Sequence, residues 1–368
     1  MNVHELEPGP SVLFVANGAQ GSAAVERAER FANVLPYSSQ VLVRTSGRLG
    51  SIRDMGKRAR AFAPTLVYCV DLAVVPLAVS MFAGRAAGLV VDTGDYPSAF
   101  FRQVGASTGR VVAARAMEEF VYRRADAVVV RGRHHAAVMR GKGVRRVETI
   151  PDGVDLELAR VEPDLSLRKH LGLLGVLTVG VAGHFTWYAQ HEWGLGCELI
   201  HALAELPDVP VHGVLIGDGP GVPHLRVLAA KLGVSERLHL LGRVPYSRYF
   251  QYLTLIDVCL LTQTNDPSSW VRTTGKLPAY LASGRYVLAS AVGTAHEILP
   301  DDMLIPYDGR WDKTYPRKLA DRIRHIATHP ETLAAAASLR SLSHQFAYPI
   351  ISAQSATLIS QLISRRSD

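Results

Sequence analysis

The first half of the chain alternates short apolar runs with longer segments in which apolar residues recur every three or four positions. The short runs are rich in Val, Leu and Ile and read as strands buried on both faces, whereas the longer segments read as amphipathic helices. The predicted strands are 11–17, 40–45, 65–71, 88–95, 125–131 and 147–155, and the predicted helices are 22–35, 53–63, 73–82, 110–124 and 135–141. This alternation predicts a parallel, doubly wound sheet.

The second half repeats the same alternation after a polar stretch over 156–175 that contains Pro163. Its predicted strands are 177–183, 211–217, 238–242, 258–262 and 286–290, and its predicted helices lie near 195–206, 222–232, 246–252 and 276–283. We therefore predict an α/β protein with two Rossmann-like doubly wound parallel-sheet domains facing across a cleft. The domains are predicted over 1–165 and 166–345, and 346–368 is predicted to hold a helix that packs back on the first domain.

Length and composition favour a well-packed protein. The chain has 368 residues, of which 48% are hydrophobic and 20% charged, which suits two domains and excludes disorder. The formal net charge of +7 is either a plain basic surface or an attraction to an anionic partner, such as a phosphorylated substrate or an acidic membrane face. Nucleic acid is not expected as a partner, because the sequence has no basic-aromatic motif and no zinc-ligand spacing.

Cysteine use and hydropathy bear on the compartment. Cys69, Cys197 and Cys259 are scattered through apolar surroundings, which predicts buried thiols in a reducing, cytoplasmic setting. The polar, acidic start of the chain is not a signal peptide pattern. The longest apolar run, 72–84, is broken by Pro76 and falls short of the roughly 20 residues that span a bilayer.

A peripheral contact with the inner face of a membrane stays open. Basic residues cluster over 53–60 and 140–146, and Phe100 and Phe101 lie between these clusters in the sequence. Such clusters suit an acceptor held at a membrane surface, although they are more often plain solvated charge. A composition rich in Ala, Arg and Val is typical of a GC-rich bacterial genome.

Candidate chemistry concentrates in two loops of the second half. The run GVLIGDGP (213–220) is an apolar strand that ends in glycines, so we expect it to offer bare backbone N–H groups. The run TTGK (273–276) opens a helix and adds further N–H donors, the positive end of the helix dipole and a lysine. Together the loops predict a diphosphate site and therefore a nucleotide; the plain alternative is an ordinary turn and a solvated lysine.

These runs occur in an order that is typical of one family. GHF (183–185), LIGDGP, LGRVP, GKLxxYLASGxxVLAS and VGTAHEI follow one another, and ADAVVVRG precedes IPDGVD. In this order the chain resembles retaining, sugar-nucleotide-dependent glycosyltransferases with two Rossmann domains, the GT-B architecture of glycosyl transferases group one. The resemblance covers residues 125–300 well and the first 120 residues weakly.

The resemblance implies a hexosyltransferase of glycoconjugate biosynthesis that binds a nucleoside diphosphate sugar mainly through its second domain. It implies retention at the anomeric carbon, a co-substrate in place of a cofactor, and no metal. The acceptor, on the side of the first domain, is a lipid-linked sugar, a polysaccharide or a small metabolite. Carried over by position, the donor-binding residues are Gly18, Gly21, Gly183, Phe185, Gly217, Asp218, Gly219, Arg243, Val244, Thr273, Thr274, Gly275, Lys276, Leu277 and Glu297.

Two residues are candidates for catalysis. His184 follows the first strand of the second half, and its charge would depend on pH; the alternative is a structural histidine. Asp95 ends a strand of the first half, where open α/β sheets bind ligands, and would act as a base or sugar contact. The alternative is that Asp95 caps the next helix. Metal ligation by His134 and His135 is not expected, because adjacent helical residues point in different directions.

The chain departs from the family where two glutamates are usual. Val271 and Ala279 occupy those positions, so the sugar site is altered. An inactive glycosyltransferase-like protein that binds a nucleotide sugar or a partner is therefore an alternative, and a sugar-nucleotide epimerase is another. Glu118 and Glu119 are predicted to lie on a solvated helix face. The aromatic residues over 187–193 are either core or a platform on which a sugar stacks.

Overall fold

The computed structural model describes residues 9–45 and 47–367. Most of the polar start, which we expect not to be a signal peptide, lies outside the described residues. The chain divides into two compact units. Unit 1 comprises residues 1–153 and 348–368, and unit 2 comprises 154–347. The division therefore falls some residues before the predicted boundary at 165. The polar stretch belongs to unit 2 because Val154, Ala159 and Leu173 are buried in its core.

Unit 1 forms a six-stranded parallel sheet within the described residues, in the order β2-β1-β3-β4-β5-β6. Its strands are β1 (Ser11–Ala16), β2 (Ser38–Leu42), β3 (Leu66–Val70), β4 (Gly88–Thr93), β5 (Ala127–Val130) and β6 (Val147–Thr149). Its helices are α1 (Ala23–Ala32), α2 (Arg48–Phe62), α3 (Val74–Phe82), α4 (Pro97–Gln103), α5 (Thr108–Arg124), α6 (Arg133–Gly141) and the C-terminal helix (Tyr348–Ser367).

Helices cover both faces of this sheet because successive strand residues point to opposite sides. Val12 and Phe14 pack towards α1 and the C-terminal helix, whereas Leu13 and Val15 pack towards α2, α3, α5 and α6. The C-terminal helix inserts Ile359, among other apolar residues, into the first of these layers. The C-terminal helix is therefore part of the core of unit 1.

Unit 2 forms a second six-stranded parallel sheet among the described residues, in the order β11-β10-β7-β12-β13-β14, together with a short antiparallel hairpin β8-β9. Its strands are β7 (Leu177–Ala182), β8 (Trp187–Tyr188), β9 (Trp193–Gly194), β10 (Val211–Ile216), β11 (Leu238–Gly242), β12 (Val258–Leu261), β13 (Tyr286–Ser290) and β14 (Leu304–Ile305). Its helices are α7 (Leu165–His170), α8 (Cys197–Ala204), α9 (Val222–Lys231), α10 (Tyr246–Leu253), α11 (Pro267–Val271), α12 (Lys276–Ala282), α13 (Gly293–Ile298), α14 (Tyr315–Thr328) and α15 (Ala335–Leu339).

The two sheets confirm the predicted fold class but differ in strand order. Without the hairpin, unit 2 has the Rossmann order 3-2-1-4-5-6, whereas unit 1 has the order 2-1-3-4-5-6, which begins as flavodoxin-like sheets do. The order reverses between β1 and β3 in unit 1 and between β7 and β12 in unit 2. Ligands of open α/β sheets bind outside the carboxyl ends of strands at such switch points.

No helix among the described residues is both long enough and apolar enough to cross a bilayer. The three cysteines are buried free thiols, as predicted.

Candidate functional site

In unit 2 the loops that follow β7 and β10 pack backbone against backbone. The N–H of Gly183 donates to Ile216 O at 2.9 Å, and the N–H of Phe185 donates to Asp218 O at 2.8 Å. Gly217 donates to Gly242 O at 2.7 Å, and a Cβ added to Gly217 would overlap the carbonyl oxygen of Gly183. The expected bare N–H groups are therefore already paired at these positions. Glycine is needed at Gly217 because the two loops approach each other closely there.

Two other predicted contacts lie below the surface. The side chain of Phe185 is fully buried, and that of Leu277 is 2% exposed, both within the core of unit 2. Gly219 is also a packing glycine, since a Cβ there would overlap the carbonyl oxygen of Phe185. These residues shape the loops, and their side chains are not placed to touch a ligand.

The loop that opens α12 brings unsatisfied polar atoms to the carboxyl end of β7. Lys276 is half-buried and reaches over Gly183, where an added Cβ would lie 3.2 Å from its Nζ. The Oγ1 atoms of Thr273 and Thr274 are buried and have no hydrogen-bond partner among the described residues. Buried hydroxyls without partners are rare in folded proteins, so this cluster is the clearest sign of a ligand site in unit 2.

The charge on Lys276 is finely balanced. Its pKa is lowered to about 8: burial is the largest cause, repulsion by Arg272 adds to it, and attraction by Glu198 opposes both. Glu198 is 6% exposed and accepts a hydrogen bond from Trp193 Nε1 at 2.9 Å, and burial raises its pKa. At neutral pH Lys276 is therefore mostly an ammonium.

Glu198 is a site residue that the sequence reading missed. It lies in the first turn of α8, directly after the β8-β9 hairpin. Its residue type there suggested only a favourable interaction with the helix dipole. Nothing in the local pattern shows that its carboxylate turns inward beneath Lys276.

The remaining predicted residues of unit 2 lie on the surface. His184 and Asp218 are 64% and 59% exposed, and Nδ1 of the histidine lies 3.8 Å from the carboxylate of Asp218. Arg243 follows β11 and is exposed, and Val244 is half-buried beside it. Glu297 lies exposed on α13. Gly275 immediately precedes α12.

The positions of the missing glutamates are filled by apolar packing. Val271 is 1% exposed at the end of α11, and Ala279 is 5% exposed within α12. Hence no carboxylate projects from these two positions. At these two positions the chain has buried apolar side chains where the family pattern has carboxylates.

The aromatic residues of the hairpin have their ring faces occupied. Trp187 stacks on His224 with ring centroids 4.3 Å apart, and Trp193 stacks on His201 at 5.1 Å. Tyr188 packs against Trp311. Packing therefore accounts for both tryptophans.

In unit 1 the predicted glycine loop is also compact. A Cβ on Gly18 would overlap the hydroxyl of Ser22, and Gly21 has a φ of +78°, which favours glycine. The backbone of Asp95 is held by the Thr93 hydroxyl, which donates to Asp95 O at 2.8 Å. Its side chain is exposed, and Tyr96 stands between it and the first residue of α4.

The beginning of α4 is instead held by a residue predicted to be solvated. Glu118 is fully buried and accepts hydrogen bonds from both N and Oγ of Ser98 at 2.7 Å. Glu119 is half exposed and pairs with Arg115, as predicted. The prediction is therefore wrong for Glu118, because one of two adjacent helical residues faces the core.

A network of charges lies at the carboxyl ends of the unit 1 strands. Asp92 is fully buried and accepts hydrogen bonds from Arg27 at 2.8 Å, from the Tyr68 hydroxyl at 2.9 Å, and from Arg131. Arg131 also pairs with Asp152 at 2.8 Å. The network thus ties β3, β4 and β5 to the segment after β6.

Asp71 lies beside this network and was also missed. It directly follows β3 and has a φ of +74°, a strained conformation for a residue other than glycine. Burial raises its pKa to about 6, although the attraction of Arg131 opposes this, and Asp95 and Asp152 add repulsion. Strain and a raised pKa together mark a candidate functional carboxylate.

Metal-binding groups were also sought among the described residues. No cluster of three or more His, Cys, Asp or Glu side chains is placed to hold a metal ion. His135 is 1% exposed, and burial lowers its pKa to about 3.

Comparison with known proteins agrees with this geometry. Residues 177–329 match the family model of glycosyl transferases, group 1, which confirms the resemblance for most of unit 2. The 2-deoxystreptamine glucosyltransferase of Streptomyces kanamyceticus is 26% identical over 204 residues. That match covers 52% of this chain and 50% of the relative, so it spans only half of the relative's length.

Solved structures extend the likeness to the whole fold. Anabaena HepE in complex with UDP-glucose is 20% identical, with a TM-score of 0.74 over 95% of this chain and 99% of that one. Sucrose-phosphate synthase from Thermosynechococcus elongatus is 16% identical, with a TM-score of 0.74 over 97% and 100% of the two chains. The chain therefore has the fold of GT-B glycosyltransferases.

Proposed function

We propose that this protein is a glycosyltransferase that moves a sugar from a nucleoside diphosphate sugar to an acceptor hydroxyl, with retention and without a metal. The observation that carries the proposal is the cluster of Lys276 and the unpartnered hydroxyls of Thr273 and Thr274 at the switch point of unit 2. A diphosphate would supply the acceptors that these donors lack. The match to glycosyl transferases and the UDP-glucose complex of HepE support a UDP-sugar as donor.

The chemistry assigned to unit 2 is stabilisation of the leaving group. As the bond between the anomeric carbon and the phosphate oxygen breaks, negative charge develops on the diphosphate. The ammonium of Lys276 and the hydroxyls of Thr273 and Thr274 would stabilise that charge. These groups act strongly because the two hydroxyls are buried and Lys276 is partly shielded from solvent.

Unit 1 is assigned to the acceptor. The acceptor oxygen forms the new bond to the anomeric carbon as the bond to the diphosphate breaks, and its proton passes to a carboxylate of unit 1. Asp95 is exposed at the carboxyl end of β4, and Asp71, with a pKa raised to about 6, lies near it. We assign to these two carboxylates the binding and deprotonation of the acceptor hydroxyl. We assign to the exposed His184 a contact with the donor.

The test is binding and turnover of UDP-glucose without added metal. A ligand that binds only the folded protein raises its melting temperature. We expect UDP-glucose to do so in wild type, and the shift to be lost in Lys276→Met. Loss of a charge-assisted hydrogen bond costs about 1.5–3 kcal/mol, or roughly 10- to 150-fold in affinity. Lys231→Met, at the exposed end of α9, is the matched control.

Release of UDP distinguishes the proposal from its alternative. The apolar packing of Val271 and Ala279 favours a protein that binds a nucleotide sugar without transferring it. Release of UDP, unchanged by EDTA, supports a metal-independent transferase. Tight binding of UDP-glucose with no UDP release in the presence of any acceptor supports the inactive alternative. If neither UDP nor UDP-glucose shifts the melting temperature, the donor site is assigned incorrectly.

A further inference from the structure

Unit 1 contains an apolar groove that the proposed donor chemistry does not use. It runs between α3 and α5, and two adjoining cavities of 640 and 510 Å³ form it. Met81 of α3 and Phe120 of α5 line both cavities, and these side chains are 70% and 49% exposed. We call this feature the α3–α5 groove. Exposed apolar side chains that line a concave surface mark a binding site more often than scattered ones do.

The groove follows the strands below it from one end of the sheet to the other. The larger cavity is lined by Asn17, which follows β1, and by Leu72, which lies just beyond β3. The smaller cavity is lined by Gly88, where β4 begins, and by Val67 near the start of β3. A strand of five or six residues is roughly 17–20 Å long, so the groove can hold an extended chain of about that length.

One end of the groove lies where a sheet of this topology binds ligands. The strand order of unit 1 reverses between β1 and β3, and Asn17 and Leu72 follow these two strands. Leu72 also directly follows Asp71, whose backbone is strained. The larger cavity therefore opens at the topological switch point, beside the groups assigned to the acceptor hydroxyl.

The charges that line the groove are all positive. Arg44, Arg48 and Arg110 line the larger cavity, and Arg85 and Arg124 line the smaller one. None of the described residues that line either cavity is acidic. The occupant should therefore combine an apolar body with an anionic group.

Arg44 indicates where the anionic group would bind. Its Nε is buried and has no hydrogen-bond partner among the described residues. The guanidinium of Arg110 lies 4.9 Å from the centre of the Phe101 ring, which keeps it at the wall of the same cavity. Arginine side chains bind phosphate groups through paired N–H donors, and these arginines are held at the switch-point end.

We propose that the α3–α5 groove binds the acceptor, and that the acceptor is an amphiphile whose single long apolar chain lies in the groove and whose phosphate group binds Arg44, Arg48 and Arg110. This inference rests on the proposed function and adds the acceptor's class. A lipid phosphate that carries a sugar has this chemistry. The sugar hydroxyl would then lie at the switch point, next to Asp71.

The first experiment titrates the full-length protein with dodecyl phosphate, below its critical micelle concentration and without donor. Inorganic phosphate and dodecyl maltoside are the comparisons for the anionic group alone and the chain alone. We expect dodecyl phosphate to bind at least about tenfold more tightly than either, because both parts contribute. Equal binding of inorganic phosphate would overturn the proposal in favour of a simple anion site.

Two variants locate the binding. Ala78→Trp fills the wall of the larger cavity, and Arg48→Ala with Arg110→Ala removes two of its cations. Each is expected to weaken dodecyl phosphate binding by about tenfold or more. Val227→Trp and Arg226→Ala, on the exposed surface of α9, are the matched controls and should leave it unchanged.

The readouts separate this inference from the proposed function. UDP-glucose binding reports on unit 2 and on correct folding, so it should persist in the groove variants. If UDP-glucose binds and dodecyl phosphate does not, the groove assignment fails alone. If dodecyl phosphate binds in the groove but UDP-glucose does not bind, the groove assignment stands and the proposed donor site fails. Binding to anionic vesicles without binding of monomeric dodecyl phosphate would overturn the proposal in favour of a membrane-docking face.

Discussion

The two units build the same kind of sheet but finish the carboxyl ends of their strands by different means. In unit 2 the loops after β7 and β10 are held by backbone hydrogen bonds and by glycines at positions where a side chain would not fit. In unit 1 the corresponding edge is held by buried charged side chains centred on Asp92. Backbone packing leaves few side chains at the edge, whereas an ionic network fills it with groups that respond to pH and mutation.

This difference suits the two roles that we propose. A diphosphate is common to all donors of one class, so a fixed backbone frame with one lysine and two hydroxyls can serve it. Acceptors differ from enzyme to enzyme, and side chains at a strand end can change without disturbing the sheet. The comparison therefore predicts that the stability of unit 1 depends on its buried charges and that the stability of unit 2 depends on its loop glycines.

The largest effect should follow from removing Asp92. Asp92→Ala leaves Arg27 and Arg131 buried without their shared carboxylate, which costs about 3–5 kcal/mol of unfolding free energy. Hydrogen exchange read by mass spectrometry would show the loss in unit 1 and not in unit 2. Glu119→Ala breaks an exposed pair and should change stability by less than about 1 kcal/mol. Equal effects of the two variants would show that the buried network contributes little.

A smaller loss is expected from adding one methyl group in unit 2. Gly217 has a φ of +132°, and its Cβ would overlap the carbonyl oxygen of Gly183. Gly217→Ala should therefore cost about 2–4 kcal/mol in unit 2 and weaken UDP-glucose binding as the loop shifts beneath Lys276. The measurement is again hydrogen exchange, together with the UDP-glucose titration.

The control for this prediction is a glycine with room for a side chain. Gly109 lies in the first turn of α5, and an added Cβ there meets nothing within 4 Å. Gly109→Ala should leave stability unchanged or raise it by up to about 1 kcal/mol. Were Gly217→Ala equally harmless, the close approach of the two loops would not matter to unit 2.

Periodicity alone was enough to predict the two parallel sheets. Buried strands such as 125–131 are nearly continuous apolar runs, and the glycines of GVLIGDGP mark the end of one such strand. The fold class and the positions of the loops to which we assign the donor follow from such local signals. The helix α4 and the hairpin β8-β9 were missed because they are too short to show a period.

What the sequence could not show is which way single polar side chains turn. Glu118 and Glu119 are adjacent and chemically alike, yet only Glu118 is buried. Asp71 and Glu198 became candidates only when tertiary packing placed them beside Arg131 and Lys276. The bare N–H groups expected at Gly183 and Gly217 are paired with other loops, and such long-range contacts leave no trace in the local pattern.

The pH dependence of donor binding tests the role of Lys276. Because burial lowers its pKa to about 8, the free protein loses this proton as pH rises through 8. A bound diphosphate favours the charged form, so affinity for UDP-glucose should be constant below pH 8 and fall by up to about tenfold per pH unit above it. Titration by calorimetry from about pH 7 to about pH 9 would measure this.

Lys276→Arg is the matched variant for the pH test, because a guanidinium stays charged throughout this range. Its UDP-glucose affinity should be flat with pH, even if its absolute value differs from that of wild type. An unchanged pH profile in the arginine variant would assign the dependence to another group. The role of Lys276 as the titrating cation would then be wrong.

The smallest effect is expected at Asp71, and its sign is opposite to that at Asp92. Burial raises the pKa of Asp71 in the folded protein to about 6, above its ordinary value of 3.8. The folded state therefore binds more protons between these values, and stability falls as pH rises through that window. Asp71→Asn removes this loss and suits a positive φ, so it should raise stability by about 1 kcal/mol near pH 7.5.

Denaturation of Asp71→Asn at about pH 4.5 and about pH 7.5 is the decisive comparison. The gain should be present at the higher pH and shrink at the lower one, where wild-type Asp71 is largely protonated. Asp54→Asn removes an exposed carboxylate of α2 and should leave stability unchanged at both. If Asp71→Asn instead destabilises unit 1 at neutral pH, Asp71 belongs to the paired network with Asp92. If Asp71→Asn raises stability but abolishes sugar transfer, then Asp71 costs the fold stability and is needed for the reaction.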